Sequence, residues 1–87
     1  MTRYYFDLRE HERIVADEIG EDLPDLAAAT AEAFASARAL ATDRQRTGRR
    51  IGTVHIEIND GDGSTRVVVP LRWAMTPLSQ PPLRSTR

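Results

Sequence analysis

Leu23-Pro24-Asp25-Leu26 opens a long alanine-rich segment that runs to Gly48, and this stretch decides the fold. Proline has no backbone N–H and disfavours a helix upstream of itself, so the helix should begin after Pro24. Asp25 can accept hydrogen bonds from the first turn, and its charge suits the positive end of the helix dipole. Nine of the fifteen residues from 27 to 41 are alanine, the strongest helix former, so we expect one long helix that ends at Gly48.

The helix has one thin apolar stripe. At 100° per residue the stripe contains Leu26, Thr30, Ala33, Ala37 and Leu40, with Phe34 and Ala41 on its flank. Such small side chains predict a helix that lies close to the surface it covers.

Two strand-like pairs flank the helix. In the first pair Tyr4, Phe6 and Leu8 alternate with other residues, which is the period of a half-buried strand. Residues 14–16 then predict a short second strand, and the acidic residues 17–22 predict a loop.

The second pair follows the helix. Residues 53–58 alternate in the same way, and residues 59–64 are rich in Asn, Asp and Gly, which is typical of a hairpin turn. The returning strand should carry its apolar side chains on one face as far as Trp73. Pro70 cannot donate a ladder hydrogen bond, which favours an edge position or a bulge.

The expected fold is therefore α+β with the order ββαββ: a four-stranded antiparallel sheet with one long helix packed on one face. The strand order stays open, because the helix can connect neighbouring or separated strands. Residues 1–75 should form a single domain. Residues 76–87, which contain Pro77, Pro81 and Pro82, should form a flexible tail.

Composition narrows the class of protein. The 87 residues are 40% hydrophobic and 29% charged, which is ordinary for a small globular domain. There is no cysteine, which excludes disulfides, thiolate nucleophiles and sulfur-ligated zinc. The first residues do not resemble a secretory signal, and no apolar run approaches the roughly 20 residues that span a bilayer. We expect a cytoplasmic protein with no membrane partner.

The net charge of −1 conceals an asymmetry. Residues 1–32 carry nine acidic residues and three arginines, whereas residues 33–87 carry four acidic residues and nine arginines. All twelve basic residues are arginine. The opposed halves can attract one another within the fold or across a dimer, although salt screens such attraction at long range.

Three motifs carry a family resemblance: Arg3-Tyr4-Tyr5-Phe6-Asp7-Leu8, Gly20-x-x-Leu23-Pro24-Asp25-Leu26, and Val69-Pro70-Leu71-Arg72. Together they resemble a family of small uncharacterised proteobacterial proteins that is classed as a domain of unknown function. The resemblance spans about residues 3–74 and implies one compact domain and a bacterial source, with no known activity, cofactor or catalytic residue. A second likeness, confined to the stretch from Gly20 into the helix, is to antitoxin domains of the HicB type.

No arrangement of side chains indicates an enzyme or a cofactor. Asp60-Gly61-Asp62-Gly63-Ser64 resembles the start of a calcium loop, but Thr65 and Leu71 stand where an EF-hand needs glycine and glutamate. His11 and His55 lack metal-binding spacing, and the serines lack a nucleophile-elbow context. The acidic residues before the helix are explained by solvation and capping. We predict no catalytic residue, no metal ligand and no cofactor.

Arg44, Arg46, Arg49 and Arg50 form the best binding candidate. Four guanidinium groups within seven residues can meet phosphates or an acidic partner. Compensation of the helix dipole and solubility explain the same residues without a ligand. The near-neutral net charge disfavours a dedicated nucleic-acid binder.

The outer face of the sheet is the second candidate. Tyr5, His55, Val68 and Arg72 are predicted to lie together there, where they can stack bases or pair with a second copy of the chain. The far side of the helix offers Ala28, Ala31, Ala35 and Ala39, a small-residue stripe that helix propensity also explains.

The predicted function is a non-enzymatic binding or assembly module that self-associates, with a homo-oligomer or another protein as its partner. The alternative is an antitoxin-like regulator that binds nucleic acid through Arg44, Arg46, Arg49 and Arg50.

Overall fold

The computed structural model describes residues 1–74, which form five strands and two helices. The strands are β1 (Thr2–Glu10), β2 (Arg13–Val15), β3 (Glu21–Leu23), β4 (Val54–Asn59) and β5 (Thr65–Pro70), and the helices are α1 (Leu26–Arg46) and α2 (Leu71–Ala74). The predictions for Met75 and for the tail 76–87 lie outside the described residues.

All strand pairs are antiparallel. The sheet has the order β2-β1-β4-β5, and β3 pairs with the first residues of β1. The helix α1 packs on one face of this sheet. The predicted α+β class, with an antiparallel sheet and one long packed helix, is therefore confirmed. The order resolves what the sequence left open: α1 connects the β1 side of the sheet to β4, the immediate neighbour of β1.

A two-residue turn joins β1 to β2. Glu10 pairs with Arg13, and His11 has a φ of 55°, a positive value that is uncommon outside glycine. The hydroxyl of Thr53 contacts His11 Nε2 at 3.2 Å, so the turn is held against the segment that leads into β4.

The third strand corrects the prediction of a loop over residues 17–22. Glu21–Leu23 pairs with Thr2–Tyr4, and Asp17 organises the preceding turn. Its carboxylate accepts hydrogen bonds from the N–H groups of Phe6, Ile19 and Gly20 at 3.0–3.1 Å. This short segment adopts an extended conformation because it pairs with β1, which is distant along the chain. Neighbouring residues in the sequence do not predict such a pairing.

The helix has the predicted start. The Asp25 side chain accepts a hydrogen bond from Ala28 N–H at 2.9 Å, which satisfies one free donor of the first turn. At the other end Thr47 is the cap and Gly48 has a φ of 79°, as expected for a helix terminator. Within residues 1–74, no helix combines the length and the apolar character that crossing a membrane requires.

The core lies between α1 and the sheet. The predicted burial of Tyr4, Val54, Ile56 and Ile58 is confirmed, as is the alternation along β4, whereas Phe6 and Leu8 are only partly buried. The buried stripe of α1 is centred on alanines and is turned slightly from the prediction, since Leu26 and Leu40 are only half-buried. The fully enclosed helix residues are Ala29, Ala33, Ala37 and Ala41. Small side chains here let the helix backbone approach the sheet closely.

The final strand is shorter than predicted. β5 ends at Pro70, and Leu71–Ala74 forms a helical turn, so Leu71 is buried while Trp73 is 54% exposed. Pro70 fixes its own φ near the helical value and has no N–H for the ladder, so the chain leaves the sheet there. The edge position predicted for this strand is confirmed.

The hairpin turn between β4 and β5 is also confirmed. Asp60 Oδ1 accepts hydrogen bonds from the N–H groups of Asp62 and Ser64, at 2.9 and 3.1 Å. Arg66 Nη1 donates to Asp60 Oδ2 at 3.1 Å. The side chain that would begin a calcium loop is thus occupied in stabilising the turn.

Candidate binding edge and arginine recess

The predicted arginine cluster is divided by the fold. The side chain of Arg44 is only 9% exposed, because the last turn of α1 directs it toward the end of β1. There it donates to Glu10, from Nη2 to Oε1 at 3.0 Å and from Nη1 to Oε2 at 3.4 Å. Nη1 also donates to the carbonyl of Arg50 at 3.2 Å. Arg44 therefore holds the helix end and the following loop together.

The other three predicted arginines are exposed. Arg46 pairs with Asp43 on the solvent side of the helix. Arg49 and Arg50 follow the helix, and Arg49 N–H donates to the carbonyl of Arg44 at 2.7 Å. The side chains of Arg49 and Arg50 make no salt bridge within residues 1–74.

A small recess lies beside the buried Arg44. It has a volume of about 190 Å³ and is called here the arginine recess; its lining consists of Leu8, Glu10, Arg13, Val15, Arg44 and Arg49. Three guanidinium groups face a single carboxylate, so the lining carries a net charge of about +2. The aliphatic side chains of Leu8 and Val15 complete the lining of the recess. Such a lining suits an anionic group attached to an apolar one.

Glu10 is the electrostatic centre of this recess. The hydrogen bond from Arg44 is the main cause that lowers the pKa of Glu10 below its ordinary value of 4.5, and the positive charges of Arg44, Arg49 and Arg13 add to it. Partial burial of the carboxylate opposes the shift. Glu10 is therefore ionised at neutral pH, and Arg13 and Arg49 remain as charges that it does not pair.

The outer sheet face carries three of the four residues predicted for it, spread along its length. Tyr5 faces Asn59 across β1 and β4, whereas His55 faces Arg9 four residues further along, about 13 Å away. Arg72 lies on α2 and donates to the carbonyl of Gly52 at 3.1 Å. Tyr5, His55 and Val68 therefore share the outer face without forming a cluster, and Arg72 lies off the sheet.

Instead, a polar network crosses the outer face. Glu57 Oε2 accepts from Arg9 Nε at 2.8 Å and lies 3.0 Å from His55 Nε2. The hydrogen bond with His55 is the main cause that lowers the pKa of Glu57, Arg9 adds to it, and burial opposes it. Asp7 accepts from Asn59 Nδ2 and from Asp17 N–H, both at 2.8 Å. Several polar side chains of this face are therefore paired with one another, and an open depression of about 470 Å³ lies over it, with Tyr5, Asp7 and Arg9 in its lining.

The edge of the sheet at β2 was missed by sequence reasoning. In the part of the chain that the structure describes, β2 pairs only with β1, and its three residues are all exposed. Ile14 and Val15 are 46% and 58% exposed, and Ile19, in the loop that follows, is 77% exposed. Alternating hydrophobicity could identify β2 as a strand, but only the strand order reveals that it lies at an edge.

Acidic side chains adjoin this edge. Glu18 and Glu21 flank Ile19, and neither forms a salt bridge within the described part of the chain. Asp17 is different, since burial would raise its pKa but the N–H groups of Gly20, Phe6 and Ile19 lower it. Residues 17–22, which comprise the turn at 17–20 and the first two residues of β3, are called here the acidic loop. Among the acidic residues of positions 1–32, only Glu10 and Asp22 form salt bridges with another part of the described chain.

The solvent side of α1 has the alanine lining that the sequence predicts. An open depression of about 440 Å³ is lined by Ala31, Phe34, Ala35 and Arg38. The depression has no buried polar group that would orient a partner. Among residues 1–74, no three side chains of His, Asp or Glu converge as metal ligands.

Comparison with known proteins identifies the family. The chain belongs to the family described as domain of unknown function DUF6894, whose model matches residues 3–72. The predicted membership of a family of unknown function is confirmed. No curated protein and no solved structure gives a significant match.

Proposed function

We propose that this member of the DUF6894 family is a non-enzymatic assembly module that forms a homodimer through the edge of β2, in the cytoplasm of a proteobacterial cell. The observation that carries the proposal is the exposure of Ile14 and Val15 on a strand that has a single neighbouring strand within residues 1–74. An edge strand presents unpaired backbone groups, and large apolar side chains there favour pairing with another strand.

The backbone register supports a symmetric pair. In a two-residue hairpin the closing pair, here Glu10 and Arg13, exchanges both backbone hydrogen bonds, and the next such pair is Leu8 with Val15. The N–H and C=O of Ile14 then face away from the sheet. Two copies related by a twofold axis can pair these groups with each other, so that Ile14 meets the partner's Ile14.

The opposite edge is a poorer candidate. β5 ends in Pro70, which removes one donor, and a register shift between Ile58 and Asn59 interrupts its pairing with β4 near the hairpin. Both features are devices by which natural sheets protect an edge. By comparison, β2 contains no proline, and Arg13 is its one charged residue, so fewer of these protective features are present at its edge.

Two substitutions at equal exposure test the edge. Ile14 is 46% exposed on β2 and Val68 is 44% exposed on β5, so Ile14→Lys and Val68→Lys place the same charge on opposite edges. We expect sedimentation equilibrium at micromolar concentration to show a dimer for the unmodified chain and for Val68→Lys, and a folded monomer for Ile14→Lys. A monomeric unmodified chain, or a dimer that only Val68→Lys disrupts, would contradict the proposal.

A nucleic-acid-binding regulator of the antitoxin type is the second candidate. The observation that favours it is the exposed charge of Arg46, Arg49 and Arg50 at one end of α1. Two facts weaken it: Arg44 is occupied by Glu10, and Arg46 is paired with Asp43. Its test is a measurement of salt-dependent binding.

A further inference from the structure

We infer that the arginine recess of each copy receives the acidic loop of the other copy, so that opposite charges as well as β2 pairing hold the dimer. This inference rests on the proposed dimer and adds its second contact. It names the side chains that recognise the partner: Arg13 and Arg49 on one copy, and Glu18 and Glu21 on the other.

Charge supplies the first reason. Arg13 and Arg49 line the recess, are exposed, and make no salt bridge within residues 1–74. Glu10 compensates one guanidinium group, that of Arg44. A carboxylate that enters the recess would meet two free guanidinium groups, and arginine pairs with carboxylates in a geometrically specific, bidentate manner.

Shape and polarity supply the second reason. Leu8 and Val15 give the recess an apolar side, and Val15 is more than half exposed. The acidic loop presents an aliphatic side chain, Ile19, between Glu18 and Glu21, whose carboxylates form no salt bridge with any other residue of 1–74. A nucleic-acid phosphate would use the charge but would leave the apolar side exposed to water. The recess therefore fits an acidic peptide segment with an apolar residue better than it fits a phosphate.

The dimer geometry brings these two surfaces to the same place. When two antiparallel β2 strands pair about Ile14, Arg13 of each copy faces the partner's Val15. Beyond Val15, each chain therefore passes Arg13 of the other copy and continues toward the β1–β2 turn of that other copy. The acidic loop begins directly after Val15 and Ala16. The acidic loop of each copy therefore lies toward the arginine recess of the other copy. The recess of its own copy lies in the opposite direction along β2.

A charge exchange between two variants tests the inference. The recess variant is Arg13→Glu with Arg49→Glu, and the loop variant is Glu18→Arg with Glu21→Arg. All four residues are exposed, but Arg13 and Arg49 also help to lower the pKa of Glu10, so the fold of the recess variant is checked before its association is measured. We expect each variant alone to dimerise more than about tenfold more weakly than the unmodified chain, because like charges meet at both contacts of the symmetric dimer.

Mixing the two variants is the decisive step. In the mixed dimer the acidic recess meets the basic loop and the basic recess meets the acidic loop, so both contacts are matched. We expect the mixture to form a heterodimer with an affinity within a few-fold of the unmodified dimer, measured by sedimentation with one variant fluorescently labelled. Circular dichroism of each variant alone checks that it is folded.

The failures are distinguishable. A monomeric unmodified chain overturns both this inference and the proposed dimer. If Ile14→Lys abolishes the dimer, but the two charge variants dimerise normally alone and show no preference for each other, the β2 pairing stands and the recess contact is overturned. Folded variants that remain monomeric when mixed also overturn the recess contact.

Discussion

Arg44, in the last turn of α1, and Glu10, the last residue of β1, form the one salt bridge that joins helix to sheet within residues 1–74. The guanidinium group is almost fully buried, so this pair fixes the end of the helix over the end of the strand. Removal of one partner from such a pair leaves the other charge without compensation, which destabilises the fold.

Glu10→Gln should therefore make stability less dependent on pH. Because the folded state lowers the pKa of Glu10, ionised Glu10 stabilises the fold above its ordinary pKa of 4.5, and this contribution is lost as the pH falls through the lower, folded value. We expect the variant to be less stable than the unmodified chain at pH 7, and the difference between them to shrink as the pH falls below 4.5, in urea denaturation.

Asp17, Glu57 and Asp60 also have lowered pKa values, so both proteins should lose some stability in acid. The quantity to compare is the difference between the two proteins at each pH. A difference that is the same at pH 7 and pH 3 would show that Glu10 acts through its shape and not through its charge.

Ile56→Ala tests the facing of the central strand. Ile56 is 3% exposed beneath α1, so the substitution should create a cavity and reduce the free energy of unfolding by about 2–5 kcal/mol. Val68→Ala on the exposed face of the neighbouring strand is the control, with an expected loss of less than about 0.5 kcal/mol. Chemical denaturation measures both, and a loss below about 1 kcal/mol for Ile56→Ala would be inconsistent with this core.

Gly20 illustrates a constraint from close packing as well as from backbone angle. Its φ is 78°, and a Cβ at this position would lie 2.9 Å from Arg3 Cγ and 2.9 Å from a ring carbon of Tyr5. Gly48 has nearly the same φ, of 79°, but open space around it. Gly48→Ala should cost about 1–2 kcal/mol for the backbone alone, and Gly20→Ala should cost more.

Thermal unfolding of the two glycine variants separates these effects. The lower midpoint should belong to Gly20→Ala, because the added methyl group displaces Arg3 or the Tyr5 ring in addition to straining the backbone. Equal midpoints would mean that the turn before β3 adjusts freely to the methyl group.

The parts of the fold that local chemistry controls could be predicted from the sequence. Asp25 caps α1 as expected, since capping depends only on neighbours along the chain. The strand β3 depends on a distant contact, the pairing of Glu21 with Tyr4, and at α2 the burial of Leu71 adds a distant contact to the local effect of Pro70. Local patterns do not contain this information.

The candidate binding residues also divide into those that local sequence predicts and those that depend on distant contacts. The sequence identifies the arginine cluster but treats its members alike, although Arg44 lies seven residues after Ala37, on the buried stripe of the helix. That spacing was the signal that separates Arg44 from Arg46. The position of β2 at the edge has no comparable signal, because it depends on the strand order of the whole sheet.

Binding to duplex DNA separates the two candidate functions. Arg44 is internally paired, so at most Arg46, Arg49 and Arg50 can meet phosphates. Three contacts imply a slope of about −2.7 in the logarithm of affinity against the logarithm of salt concentration, compared with about −3.6 for four. Because the assembly module is the preferred function, we expect fluorescence anisotropy to detect no binding at physiological salt.

The variant with Arg46, Arg49 and Arg50 all replaced by glutamine removes those contacts and leaves the Arg44–Glu10 pair intact. Arg38→Gln is the matched control, since it removes an exposed arginine from the same helix outside the cluster. Submicromolar, salt-steep binding that the triple variant loses and Arg38→Gln retains would favour the regulator over the assembly module. Weak binding that falls equally in both variants would reflect non-specific attraction to exposed arginines, and would leave the β2 edge as the functional surface.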